Sequence, residues 1–80
     1  MKLADARLLR DGDRVHHHDP ESGHEAIEGV VKNRKGYSRV YKTPAAFDIC
    51  WDVEGEPDDN VILSPSESDS VYLLGNLTKI

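Results

Sequence analysis

Apolar and polar positions alternate most clearly at Phe47, Ile49, Trp51 and Val53, with Asp48, Cys50 and Asp52 between them. A period of two places one set on one face of a strand, so residues 47–53 predict a half-buried strand. Residues 26–33 predict a second, carried by Ile27, Val30 and Val31, whose branched side chains suit a pleated surface. Gly29 inside it marks a bulge or sharp bend. Shorter candidates lie at 14–18, 61–63 and 71–74. Turn residues separate them: Asp11-Gly12-Asp13, Asp19-Pro20 to Gly23, the acidic stretch 55–60, the serine-rich stretch 64–70, and a tight turn at Gly75-Asn76-Leu77. Residues 1–10 read as an arm or one short helical turn. Nowhere does a 3.6-residue apolar period last a dozen residues. The pattern is all-β: five to six short antiparallel strands, closing as a small barrel or as two orthogonal sheets.

The length, 80 residues, allows one core, placed at 11–80 behind the arm. A domain this small is often reinforced by disulfides, a metal or oligomerisation. With Cys50 the single cysteine, no disulfide can form within one chain. A lone thiol between Ile49 and Trp51 suggests a buried, inert group and a reducing, cytoplasmic setting. The first residues lack the apolar stretch of a secretion signal, and no apolar run is long enough for a membrane span, so no membrane partner is expected.

Net charge changes the picture through its distribution. The total is −5. Residues 32–42 nevertheless carry Lys32, Arg34, Lys35, Arg39 and Lys42 with no acid. Residues 52–59 carry Asp52, Glu54, Glu56, Asp58 and Asp59 with no base. The two segments could satisfy each other.

The succession Asp11-Gly12-Asp13-Arg14-Val15, Glu28-Gly29-Val30-Val31, Cys50-Trp51-Asp52 and Leu77-Thr78-Lys79-Ile80 resembles an SH3-like barrel of the Tudor or KOW sort. Its wording is similar to the C-terminal domain of UvrD-like helicases and to the plasmid type II dihydrofolate reductases. The resemblance implies a one-turn helix before the last strand, with Leu77 and Ile80 plugging one end of the core. It identifies a barrel more than a function. The reductases carry a Val-Gln-Ile-Tyr phrase late in the chain. Here Val71 matches but Tyr72 stands at the glutamine, so their activity does not carry over.

Three groups of side chains invite a functional reading. Lys32, Arg34, Lys35, Tyr37, Arg39, Tyr41 and Lys42 mix bases, which hold phosphates, with aromatic faces, which stack on unpaired bases; the plainer alternative is a solvated loop. Phe47, Trp51 and Tyr72, with Tyr41, could form a cage for a methylated cation, against the alternative of simple core packing. His16, His18 and His24 are metal candidates, because His16 and His18 would share a strand face and His24 could return from the next loop; an exposed polar strand end is the alternative. No catalytic constellation and no cofactor site is legible.

The expected function is a small non-enzymatic module that binds a protein partner through strand edges and charged loops. One alternative is a nucleic-acid-associated module using residues 32–42. Another is a homo-oligomeric enzyme of the reductase kind, with its site at subunit interfaces.

Overall fold

Five strands form one antiparallel sheet in the computed structural model, which describes residues 1–66 and 73–80. They are β1 (Arg14–His17), β2 (Ile27–Lys35), β3 (Ala46–Trp51), β4 (Asp59–Ile62) and β5 (Leu77–Lys79), preceded by α1 (Leu3–Ala6). The sheet order is β4-β3-β2-β1-β5: β1 to β4 run as a meander, and the chain returns to lay β5 beside β1. The result is a small, mostly β domain with a barrel-like sheet. Among the described residues no helix is long and apolar enough to cross a membrane.

The register explains the core. Val15 faces Gly29, Gly29 faces Trp51, Val31 faces Ile49 and Phe47 faces Val61. Alternation then sends Val15, Val31, Phe47, Ile49, Trp51, Val61 and Leu77 to one face, where they are buried with Leu63 and Leu74. The arm supplies Ala6 and Leu9 to the same core, and Met1 and Leu3 pack against it. The opposite face carries Arg14, Glu28, Lys32, Asp48 and Asp52, with Arg14 hydrogen-bonded to Asp52 and 3.8 Å from Glu28. Arg14 is held above its usual pKa, first by that hydrogen bond and then by the negative charge of Asp52.

Several expectations are corrected. β3 ends at Trp51, and Val53 lies beyond it, 45% exposed rather than on the core face. Gly29 sits in regular register. The irregularity in β2 falls between Lys32 and Lys35, where Asn33 takes a left-handed φ of 53°. Gly29 is required instead by close approach: a Cβ there would stand 2.7 Å from Ile49 Cγ2 and 2.9 Å from the Cys50 carbonyl oxygen. Leu73 and Leu74 belong to a helical turn at 73–75, not to a strand, while Val71 and Tyr72 lie outside the described residues. Leu77 plugs the core, but Ile80 is 62% exposed. Cys50 is half-buried on the outer face opposite Val30, not inside the core.

The basic and acidic segments do not meet. β2 carries the chain from Ile27 at one end to Lys35 at the other, about 27 Å at the usual strand rise. The basic hairpin projects from the Lys35 end, and the acidic turn 52–58 follows β3 at the Ile27 end. Among the described residues no ion pair joins them.

Candidate functional site

A cleft of about 610 Å³ opens at the end of the sheet where β1 finishes, β2 begins and β3 finishes. Its apolar wall is Ile27, Trp51, Val53 and Leu73. Around that wall stand the carboxylates Asp19, Glu25, Glu56 and Asp59 and the imidazoles His17 and His24. The two loops supply most of the acids, and the strands supply the fixed groups.

The fixed groups are His17, Trp51 and Asp59. In β1, Val15 points into the core, so the alternation sends His17 the same way, opposite Ile27 and Leu77. Its ring meets the Trp51 indole edge-on, with centroids 5.9 Å apart and planes at 64°. His17 Nε2 is buried and has no hydrogen-bond partner among the described residues. Burial pushes the His17 pKa down, partly opposed by Asp19 and Asp59, while His16 and His18 push it further down. Asp59, opposite Ile49 in the β3–β4 ladder, faces the same side and accepts the Trp51 indole N–H at 2.7 Å. That bond fixes the indole and sets a carboxylate beside it.

The histidines named from sequence are dispersed. His16 lies on the outer face between Glu28 and Thr78, His18 falls just beyond β1, and only His24 reaches the cleft. Among the described residues no three His, Cys, Asp or Glu side chains are grouped as a metal site. Phe47 is 1% exposed and belongs wholly to the core, so it cannot form a cage with Trp51; Tyr72 lies outside the described residues. His17 stands outside the candidates His16, His18 and His24, although alternation from Val15 indicates its inward direction. Asp59 was not legible as a cleft residue, because its direction depends on the β3–β4 register.

The basic segment divides. Lys32 lies in β2 opposite Asp48. Arg34 is turned inward as a clip: Nε donates to the Leu9 carbonyl at 2.7 Å, one terminal nitrogen to Arg7 at 2.7 Å and the other to Lys35 at 3.0 Å. Its backbone N–H donates to Asp11 Oδ1 at 2.8 Å. Arg34 thus holds the arm to β2, and those donors are occupied. Beyond it the hairpin is closed by a Ser38–Thr43 bridge, and Lys42 takes a φ of 52° in the turn. Tyr37, Val40 and Tyr41 are 62%, 83% and 81% exposed there, beside Arg39 and Lys42.

A second arrangement sits on the outer face. Asp48 accepts from Asn60 at 2.9 Å and Asn33 at 3.0 Å, and these bonds, Asn60 first, draw its pKa below the usual carboxylate value. It braces the β2 irregularity against β4. No protein-family model, curated protein or solved structure matches the chain.

Proposed function

We propose that the chain is a non-enzymatic interaction module, an SH3-like barrel of the Tudor or KOW sort, whose cleft receives a cationic side chain of a protein partner. The observation that carries this reading is the meeting of Asp19, Glu25, Glu56 and Asp59 with Trp51 in one cleft. Concave acidic surfaces concentrate cations, and Trp51, 6% exposed at the cleft wall, adds apolar contact for the stem of a lysine or arginine. Trp51 is already anchored by Asp59, so little ordering is left for the moment of binding. Cys50, the one thiol, lies on the opposite face of the sheet and has no part in this site. A reducing, cytoplasmic setting accords with that single thiol.

Trp51 is the sole tryptophan, so its fluorescence reads the cleft directly. Titration with a short peptide bearing lysine or arginine should give a saturable change, weakened several-fold at about 0.5 M salt and lost in Asp59→Asn. No change at millimolar peptide sinks the reading.

A second reading, contact with single-stranded nucleic acid, is favoured by one observation: Tyr37 and Tyr41 are exposed beside Lys35, Arg39 and Lys42. Its mark is a strongly salt-dependent shift with an oligonucleotide, abolished by Arg39→Glu with Lys42→Glu.

A further inference from the structure

The basic hairpin tip and the acidic cleft stand at opposite ends of β2. Residues 39–42 form the tip, with Val40 and Tyr41 at 83% and 81% exposure between Arg39 and Lys42. The turn is braced: Ser38 N–H donates to the Thr43 carbonyl at 3.0 Å, and Tyr41 N–H donates to Ser38 Oγ at 3.2 Å. Two large apolar side chains are therefore held in water on a hydrogen-bonded turn, where they are free to pack on another surface. The cleft has the reciprocal chemistry, four carboxylates around an indole, and its volume lies within the range of about 300–1,000 Å³ of ligand sites.

A separation of about 27 Å along β2 prevents the tip from entering its own cleft. We infer that the tip of one copy, residues 39–42, seats in the Trp51 cleft of a second copy, joining chains head to tail. This rests on the cleft being a cation-binding site, and it names the partner as the chain itself. Arg39 and Lys42 meet the carboxylates, and Tyr41 or Val40 packs on the wall of Ile27 and Trp51. Tip and cleft are different surfaces, so each contact leaves a spare tip and a spare cleft. The association is heterologous and continues until it closes as a ring or is left open as a filament. One hairpin in one cleft is a small interface, so the single contact is weak and salt-sensitive.

Sedimentation velocity of the intact chain tests this, from about 10 μM to 1 mM and in about 50 mM and 0.5 M salt. The expected result is a mass that rises with concentration at low salt and falls to the monomer at high salt. Arg39→Ser with Lys42→Ser removes the tip, and Glu25→Lys with Glu56→Lys removes the cleft. All four residues are exposed, and far-ultraviolet circular dichroism checks the fold. Each double variant alone should remain monomeric. Mixed, they should form a one-to-one pair and nothing larger, because the unchanged tip of one meets the unchanged cleft of the other. A wild type that stays monomeric at every concentration overturns the inference. So does a cleft variant that still self-associates, or a mixture that does not pair. If the chain stays monomeric while the cationic peptide still perturbs Trp51, self-docking fails and the cleft reading survives. If neither occurs, both fall. Oligonucleotide binding by a monomeric chain, lost in the tip variant, gives the hairpin to nucleic acid instead.

Discussion

Gly29 stands directly opposite Trp51 in the β2–β3 ladder, and a Cβ built on it would lie 2.9 Å from the indole Cε3. The hydrogen at this position leaves room for the indole, which lines the cleft wall. Gly29→Ala should therefore overpack the core and cost about 1–3 kcal/mol, read as a lower urea midpoint at unchanged slope. Gly36 supplies the control, since none of the described residues lies within 4 Å of its added Cβ and its φ is not left-handed. Gly36→Ala should leave stability within about 0.5 kcal/mol of wild type or raise it slightly. Equal effects at the two positions would refute the close-approach account.

Arg34 was grouped by sequence with the ligand-binding bases, and the fold gives it structural work. Three side-chain hydrogen bonds tie it to the carbonyls of Arg7, Leu9 and Lys35. Arg34→Ala should cost about 2 kcal/mol and raise amide exchange in the arm around Ala6 and Leu9. Arg34→Lys should recover only part, because an ammonium cannot reproduce the planar fork. An unchanged urea midpoint with weakened oligonucleotide binding would return the residue to the binding surface.

The parts of the fold that depend on one strand at a time were legible. Phe47, Ile49 and Trp51 share a buried face because alternation needs no knowledge of neighbours. Val53 failed the same rule because β3 stops two residues earlier, and the acidic turn that stops it offers no apolar surface to cover the side chain. Leu73 and Leu74 read as a strand because a short apolar run fits either period. The cleft was half legible. Val15 implied an inward His17, but placing Asp59 beside Trp51 requires the register between β3 and β4, which no local pattern carries. The structural partners of Arg34 were illegible for a related reason: they lie 25 and 27 residues away, on an arm whose path only the fold reveals.

Two pH windows follow from His17 and Asp48. Desolvation lowers His17 from the ordinary value of 6.5, against Asp19 and Asp59 and with His16 and His18. Between the two values the unfolded chain holds more protons than the folded one, so stability falls with falling pH. The His17 contribution is complete above 6.5 and is lost as pH drops through its folded value. Urea midpoints taken from about pH 8 to 5 should decline through that window, and His17→Phe should flatten the decline. Asp48 acts lower: its hydrogen bonds from Asn60 and Asn33 depress it from 3.8, so its contribution is present above 3.8 and disappears on further acidification. Asn60→Ala should weaken that second loss without altering the first. A proton NMR titration placing His17 at or above its ordinary value would contradict the burial on which the first window depends.

Asp59 has two functions that substitution can separate. Its Oδ2 accepts the indole N–H of Trp51 at 2.7 Å, and its charge contributes to the field of the cleft. Asp59→Asn keeps an acceptor and removes the charge. Stability should stay near wild type while the Trp51 fluorescence response to a cationic peptide is lost. Asp59→Ala removes both and leaves a partly buried N–H with no acceptor, at about 1–2 kcal/mol, visible as a lower urea midpoint. If Asp59→Asn destabilises as much as Asp59→Ala and still binds peptide, the carboxylate serves the fold alone. The cation would then be held by Asp19, Glu25 and Glu56, which Glu25→Lys with Glu56→Lys tests in the same titration.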